Sequence, residues 1–288
     1  MRTWTGADLP ALISVVDAAF PSENLTADEV LSACFEGPDP SIVLGLPDGE
    51  GAVAVVACPS EEGPLASVVL LGVAPGARGE GRGRRLLLAA EEWAFDGALA
   101  NRLWAGGPAP FLLWPGVDVQ WIPALCLLES AGYRDDGSVL VLSFPSSYRA
   151  ATPPHIELRR VVGDDDADLA MRLCSEQWPA SIGPVGRAIE HATCFLAVAQ
   201  AASGEQGAPA GLVCHSVNRT GWVGPIAVTS AQQRRGIGSA LLSAVAADLR
   251  VAGVREAHVC PGRPAHFFAR AAGATTSRVF LRFSRARG

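Results

Sequence analysis

The stretch Val73-Ala74-Pro75-Gly76-Ala77-Arg78-Gly79-Glu80-Gly81-Arg82-Gly83 decides the fold, because a related stretch, Val228 to Gly238, follows it 155 positions later. Arg78 to Gly83 and Gln233 to Gly238 share one order: Gln or Arg, two residues, Gly, one residue, Gly. Each copy follows a short apolar run and opens an Ala/Leu-rich segment with helical spacing. Glycines let a backbone approach a pyrophosphate, and a helix N-terminus binds its charge. The sequence therefore predicts one phosphate-cradling unit, present twice, for an anionic nucleotide-like cofactor.

The details of the motif exclude two common nucleotide-binding loops. A P-loop requires Gly-Lys-[Ser/Thr], but all 23 basic residues of the chain are arginine. ATP or GTP hydrolysis by that route is therefore excluded. The dinucleotide fingerprint requires a third glycine where the chain has Leu86 and Leu241, which argues against nicotinamide and flavin cofactors.

The remaining pattern is Val-x-Pro-x-x-Arg-Gly-x-Gly-x-Gly, which begins at Val73 and is repeated less perfectly as Val228, Ser230, Gln233, Gly236 and Gly238. It resembles the acetyl-CoA loop of the GCN5-related N-acetyltransferases, the GNAT superfamily, and the two copies resemble a tandem member. The resemblance implies an α+β fold of two consecutive GNAT-like domains. Each domain would be a splayed mixed β-sheet flanked by helices.

The order of predicted elements recurs along the chain. Each half ends with a helix, a glycine and a last strand, and the two glycines, Gly132 and Gly273, are 141 residues apart. A Ser/Ala/Pro-rich linker is predicted at Pro145 to Pro154. We expect an N-terminal domain at residues 1–147 and a C-terminal domain at residues 153–288, each long enough to bury its own core. The predicted helices are Asp8 to Phe20, Thr26 to Cys34, Arg84 to Ala98, Trp121 to Ala131, Asp166 to Trp178, Ser239 to Ala252 and Pro264 to Ala271. The predicted strands are Ser41 to Leu46, Gly51 to Cys58, Leu65 to Val73, Arg102 to Ala105, Ser138 to Phe144, Ile156 to Val162, Cys194 to Ala201, Ala210 to Asn218, Trp222 to Val228, Glu256 to Cys260 and Arg278 to Phe283.

Composition excludes several classes of protein. The net charge of −6 argues against binding to nucleic acid, which relies on an excess of basic residues. No apolar run approaches the ~20 residues of a membrane span, and the first residues lack the apolar core of a signal peptide. We expect a soluble, cytoplasmic protein, monomeric or homodimeric. Seven scattered cysteines without a CxxC pair predict reduced thiols, with neither disulfides nor a metal site.

The resemblance implies where acetyl-CoA would bind as a co-substrate. Its pantetheine would pair with the strand before either glycine turn, and its pyrophosphate would lie on the turn itself. An amine would attack the thioester carbonyl directly, with orientation and backbone N–H groups as the protein's main contribution. The residues implied are Leu71, Gly72, Val73, Arg78, Gly79, Gly81, Arg82 and Gly83 in the first copy. In the second copy they are Ile226, Ala227, Val228, Gln233, Arg234, Arg235, Gly236, Ile237, Gly238 and Ser239.

The chain departs from the family pattern at its acid and base. Many members carry a tyrosine in the late helix, where this chain has Leu128 and Phe268, and a glutamate on or near the strand before the turn, where it has none. The candidate bases are His215, His266, Glu23 and Asp118. The alternatives are that His215 is a packed strand residue, that His266 caps a helix, and that the two acids are solvated loop residues.

Two functions remain open at this point. The first is an acetyl-CoA-dependent N-acetyltransferase that acts on a small-molecule amine. The alternative is a non-catalytic acyl-CoA-binding or scaffold protein, favoured by the missing tyrosine and glutamate. A longer acyl group is not distinguished from acetyl. Ile237 stands where relatives carry an aliphatic residue and the first copy has Arg82, which favours the second half for the chemistry.

Overall fold

The computed structural model describes residues 1–37, 39–58, 63–106, 113–200, 207–262 and 264–288. The chain forms two compact units, residues 1–139 with 279–288 and residues 140–278. Residues 201–206, which begin at the end of the predicted strand Cys194 to Ala201, lie outside the described residues. Within those residues, no helix has both the length and the apolar character of a membrane span.

The first unit is a mixed sheet with helices on both faces. Its strands follow the order β1-β2-β3-β4-β5-β13, and β6 pairs with β13. The strands are β1 (Arg2–Trp4), β2 (Ser41–Gly45), β3 (Gly51–Cys58), β4 (Leu65–Val73), β5 (Arg102–Ala105), β6 (Val117–Asp118) and the end of β13 (Thr275–Ala286). The helices are α1 (Leu9–Ala19), α2 (Ala27–Cys34), α3 (Arg82–Glu92), continued by a π-helical turn (Trp93–Gly97), and α4 (Ile122–Ser130).

The second unit repeats this plan. Its strands follow the order β7-β12-β11-β10-β9-β8. The strands are β7 (Arg134–Pro145), whose start lies in the first unit, β8 (Ile156–Arg160), β9 (Cys194–Ala199), β10 (Pro209–His215), β11 (Trp222–Val228) and β12 (Glu256–Val259). The helices are α5 (Asp164–Gln177), α6 (Ile182–Glu190), α7 (Ile237–Val251) and α8 (Ala265–Ala272). The predicted fold class, a mixed sheet flanked by helices and present twice, is confirmed.

The two glycine turns have the same backbone conformation. Gly79 and Gly81 have φ of 84° and 73°, and the matching residues Arg234 and Gly236 have φ of 61° and 84°. This left-handed region costs glycine little because it has no Cβ. The turn therefore ends each time in a left-handed residue, Gly81 or Gly236, at the N-cap of α3 or α7. The helix that follows points its first amides toward the turn.

The last strand of each half completes the other unit. The end of β7 pairs with β12, with Leu142 opposite Val259, inside the second unit. The end of β13 pairs with β5, with Phe283 opposite Ala105, inside the first unit. These compact units therefore differ from the predicted boundaries, because residues 140–147 belong to the second unit and residues 279–288 to the first. The division into domains at 1–147 and 153–288 stays a prediction.

Most predicted elements are confirmed within a few residues, and the described residues contain three more α-helices or β-strands that were not predicted. Helix α6 was not predicted because Gly183, Pro184 and Gly186 disfavour a helix. It forms because Val185 and Ala188 are buried against its neighbours, which outweighs that preference. Strands β1 and β6 are three and two residues long, too short to show an alternating pattern.

The exchanged strand predicts a stability test in the first unit. Phe283 is 2% exposed and belongs to that unit's core. We expect Phe283→Ala to lower the free energy of unfolding by ~3–5 kcal/mol, because it leaves a cavity. Urea unfolding followed by tryptophan fluorescence measures the loss. The control is Arg287→Ala at the end of the same strand, which removes an exposed ion pair with Asp96 and should cost under ~1 kcal/mol. Equal effects for the two variants would contradict the packing described.

Candidate functional site

Strands β4 and β5 of the first unit part after a short parallel ladder. Leu65 to Val68 pair with Arg102 to Ala105, and the Gly106 amide donates to the Val68 carbonyl at 3.0 Å. Strand β4 then continues to Val73, and a register shift against β3 leaves Val69 as an extra residue. Residues 69–73 consequently have no partner strand on the β5 side, within the part of the chain that the structure describes.

A cleft of about 500 Å³ occupies this opening. Strand β4, the glycine turn, the start of α3, the end of α1, the segment after β5 and helix α4 all contribute to it. Its size is that of a small-molecule or cofactor site, and its walls are mostly apolar. The residues lining it are Ala19, Phe20, Val68, Val69, Leu70, Leu71, Gly72, Val73, Arg78, Gly79, Gly81, Arg82, Gly83, Arg84, Leu87, Ala105, Gly106, Trp114, Gly116, Val117, Gln120, Trp121, Pro123, Ala124, Leu127, Leu128 and Ser130.

The first residue of each motif fixes its turn. The Arg78 side chain donates from Nε to the Val73 carbonyl at 3.0 Å and from Nη2 to the Ala19 carbonyl at 3.2 Å. Gln233 Nε2 donates to the Val228 carbonyl at 3.2 Å in the second unit. Both side chains thus tie the turn back to the strand before it. The backbone amides of the turn remain the groups suited to an anion.

The charge at this end of the first cleft is mixed. Arg82 Nη1 lies 2.7 Å from Asp48 Oδ2 and also contacts Glu50, and its Nη2 lies 3.1 Å from Glu80 Oε2. These three carboxylates offset the positive charge of the Arg82 guanidinium. Arg84 lines the cleft and is exposed, and the first amides of α3 have no acceptor within the helix. These amides, the helix dipole and Arg84 make a site that fits a phosphate group.

Sequence comparison agrees with this geometry. The profile of the Acetyltransferase (GNAT) family matches residues 9–109 and 165–274. The chain belongs to this family. The two matched regions confirm the predicted tandem arrangement. No protein with a curated description matches the chain.

Solved structures share this GNAT fold along the whole chain. A tandem GNAT protein from the clavulanic acid biosynthesis pathway is 17% identical, with a TM-score of 0.72, over 99% of this chain and 98% of that one. A GCN5-related N-acetyltransferase from Sphaerobacter thermophilus is 21% identical, with a TM-score of 0.68, over 99% and 94%. A glucosamine N-acetyltransferase region of a fungal multi-domain β-N-acetylglucosaminidase is 18% identical, with a TM-score of 0.77, over 99% of this chain and 38% of that one. At these identities the likeness shows the fold.

The sheet of the second GNAT unit also splays, and an aromatic side chain lies against the helix that follows its glycine turn. Strands β11 and β12 pair only at Trp222 and Val223. A Cβ built on Gly238 would lie 2.8 Å from Phe267 Cζ, whereas one on Gly83 would lie 3.3 Å from Leu127 Cδ2. Phe267 therefore lies against the start of α7, as Leu127 lies against the start of α3.

Residues of the predicted linker also contact α7. The Ala150 amide donates to Ser243 Oγ at 3.1 Å, and Tyr148 Oη donates to the Ser239 carbonyl at 3.5 Å. Pro153 Cγ lies 3.6 Å from a Cβ built on Gly236. Residues 148–153 thus contact the first turns of α7. The sequence favoured the second half for the chemistry, whereas the cleft described above lies in the first unit and favours that one.

His215 lies in a buried network beneath α7. It is 3% exposed, with Nε2 2.9 Å from Asp248 Oδ2 and Nδ1 3.1 Å from Ser216 Oγ. Asp248 also binds the guanidinium of Arg160, which stacks on Phe195. Burial lowers the pKa of His215, the Asp248 carboxylate opposes that shift, and Arg160 adds to it. Both ring nitrogens have partners in the core of the unit, which agrees with the packed-strand alternative.

The other three candidate bases do not all lie in the same unit. His266 is exposed near the start of α8 in the second unit. Glu23 and Asp118 belong to the first unit and are 8% and 2% exposed. The expectation that they are solvated was wrong, because neighbouring groups bury and bind them. Trp114 Nε1 donates to Glu23 Oε2 at 2.9 Å, and the backbone amide of Gln120 donates to Asp118 Oδ1 at 2.8 Å. A catalytic role for any of the four stays a prediction.

Three aromatic residues of the cleft were not selected from the sequence. Phe20 ends the predicted first helix, Trp121 begins the predicted helix Trp121 to Ala131, and Trp114 lies between predicted elements. They meet at the cleft because α1 and α4 approach β4 from different parts of the chain. The only signal in the sequence was the aromatic-rich passage before α4, and part of that passage, residues 107–112, lies outside the described residues.

The His215 network predicts a pH dependence of stability. Because the pKa of His215 is lowered in the folded state, the unfolded state takes up its proton first as the pH falls. Stability is therefore lost as the pH drops below about 6.5, by at most ~1.4 kcal/mol per pH unit for this group. We expect His215→Gln to flatten that part of the profile, measured by urea unfolding at several pH values. The exposed His266→Gln is the matched control. An identical profile for the parent and His215→Gln would contradict the prediction.

Proposed function

We propose that the first unit binds acetyl-CoA and transfers its acetyl group to the amine of a small molecule. Membership of the GNAT family supports acyl transfer in general. The observation that carries the proposal further is the cleft through the β4–β5 splay, which joins a phosphate-binding helix end to a free strand edge. Action on a soluble amine by a cytoplasmic monomer or homodimer is part of the same proposal.

The first unit offers a group for each part of the donor. The amides of the glycine turn and of α3 would hold the pyrophosphate, helped by Arg84. The edge of β4 at Leu71, Gly72 and Val73 would pair with the pantetheine amides. The apolar side chains of α4, including Leu127, would cover its methylene groups. The acceptor would reach the thioester from the face of the splay that carries Phe20.

The chain's own chemical contribution is orientation and charge stabilisation. A bound acyl thioester supplies an activated carbonyl. Backbone N–H groups of residues 69–73 would stabilise the oxyanion, and the narrow splay would align the amine. Leu128 lines the cleft and donates no proton, which a thiol leaving group of pKa about 8.5 tolerates. Glu23 is the proposed proton acceptor, reached through water, because its partner Trp114 lines the cleft.

One observation favours the alternative of a non-catalytic acyl-CoA-binding protein. Among the described residues, the lining contains neither tyrosine nor carboxylate. Such a protein would bind acetyl-CoA as described without transferring the acetyl group. Initial-rate measurement of free thiol release with a set of amines separates the two functions, since binding without any amine-dependent thiol release supports the alternative.

Calorimetric titration with acetyl-CoA tests the location of the site. Arg84 lines the cleft and Arg85 does not, although both are exposed and adjacent on α3. We expect Arg84→Glu to weaken binding about tenfold or more, equivalent to ~1.4 kcal/mol, because it places a carboxylate beside the pyrophosphate. Arg85→Glu makes the same charge change outside the lining and should have a clearly smaller effect.

A variant of the second unit completes this design. Phe267→Ala removes the ring opposite Gly238 and should leave acetyl-CoA affinity and a stoichiometry of one per chain unchanged. Lost affinity in Phe267→Ala with full affinity in Arg84→Glu would place the site in the second unit. Absence of binding to the parent protein would end the enzyme proposal.

A further inference from the structure

We infer that the acceptor of the first unit is an amine carried on a flat apolar body, such as an arylalkylamine, held against the surface that Phe20, Trp114 and Trp121 form together in the cleft. This inference rests on the proposed function and names its substrate class. It is carried by the arrangement of the three rings, by their place in the splay and by the polarity of the surrounding walls.

The three rings form one contiguous aromatic set. The ring centroids of Phe20 and Trp114 are 4.8 Å apart, those of Phe20 and Trp121 are 5.2 Å apart, and those of Trp114 and Trp121 are 5.1 Å apart at 89°. Phe280 of the exchanged strand supports Trp121 edge to face at 6.2 Å. Rings held at such angles in a packed set offer a preformed surface to another flat group.

Phe20, one member of this set, lies on the acceptor face of the splay. Side chains alternate between the two faces of β4, so Leu71 and Val73 pack toward α3 while Gly72 faces α1. A Cβ built on Gly72 would lie 3.3 Å from Phe20 Cε2 and 3.2 Å from Ala19 Cβ. The glycine turn and α4 border the other side of the strand. A molecule against Phe20 therefore reaches the β4 edge from the side opposite the proposed donor.

The cleft walls around the three aromatic rings offer few charged or hydrogen-bonding partners to a polar acceptor. Within the described residues, no carboxylate lines the cleft, and its charged side chains are arginines at the glycine turn. Glu23 lies behind Trp114, bound to the indole N–H, and Asp118 accepts from the Gln120 amide. Burying a second ammonium group or several hydroxyl groups without partners costs free energy. A polyamine or an amino sugar therefore fits this cleft less well than a monoamine with an apolar body.

The approach to the cleft is apolar as well. Val119 and Ile122 flank the lining residue Trp121 in the sequence and are 38% and 57% exposed. Pro123, the next residue, lines the cleft. Exposed aliphatic side chains beside an aromatic-walled cleft extend the surface available to the body of the acceptor.

Two measurements test the inference. Calorimetry with 2-phenylethylamine in the presence of CoA measures acceptor binding without turnover. Initial rates with acetyl-CoA compare kcat/KM for 2-phenylethylamine with kcat/KM for spermidine and glucosamine. We expect 2-phenylethylamine to bind, and its kcat/KM to exceed the other two by about tenfold or more.

Variants of the aromatic set supply the second readout. Trp121→Ala should raise the KM for 2-phenylethylamine and weaken its binding about tenfold, with the affinity for acetyl-CoA unchanged. Trp121→Phe keeps a ring and should restore most of the loss, which a general folding defect would not do. Trp104→Ala is the control, because Trp104 stacks on Arg282 at 4.9 Å and lies outside the lining.

The outcomes separate this inference from the proposed function. Equal or higher kcat/KM for spermidine or glucosamine would overturn the substrate class and leave the acetyltransferase function intact. Trp121-dependent binding of 2-phenylethylamine without acetyl transfer would support the class and contradict the enzyme function. Absence of 2-phenylethylamine binding, or binding unchanged in Trp121→Ala, would overturn the inference whatever the result with acetyl-CoA.

Discussion

The close backbone packing of Gly106, Gly116 and Leu281 is the constraint on which the site depends. A Cβ on Gly106 would lie 2.5 Å from Gly116 Cα, and one on Gly116 would lie 2.4 Å from the Leu281 carbonyl oxygen. Gly106 also has φ of 74°, a left-handed conformation, at the residue whose amide donates the last of the described hydrogen bonds from this segment to β4. Only glycine permits both the conformation and the contact. The separation of β4 from β5, the edge of β4 without a partner strand and the cleft all depend on this conformation and this contact of Gly106.

The two halves show how a repeated fold separates into unequal parts. Both keep the left-handed turn, the extra residue in the strand before it and the side chain that ties the turn to that strand. They differ in the residue that the late helix presents to the turn, Leu127 in one half and Phe267 in the other. The cleft described above lies beside the turn of the first half. The repeat in the sequence therefore reports a shared fold more directly than a shared site.

The sequence predicted the elements well, because glycine turns, caps and alternating apolar residues are local signals. Thr26, for example, caps α2 with the reciprocal hydrogen bonds to Glu29 that its position indicates. The exchange of last strands was not predictable, because β7 and β13 carry similar apolar patterns and either could pair with β5 or β12. The burial of Glu23 and Asp118 was missed for a related reason. Loop acids are solvated unless distant residues cover them, and the cover here comes from Trp114 and from the end of β13.

The place of β13 in the chain also determines when the parts of the first unit are synthesised. Residues 279–288 are made after all 139 residues of the first unit's main segment and after the whole second unit. During synthesis, strand β5 and the ring of Trp121 lack the neighbours that Phe283 and Phe280 later supply. Units of a growing chain generally fold from the N-terminus onward. Strand β5 and Trp121 of the first unit therefore gain these neighbours only after residues 279–288 have been made, later than every residue of the second unit.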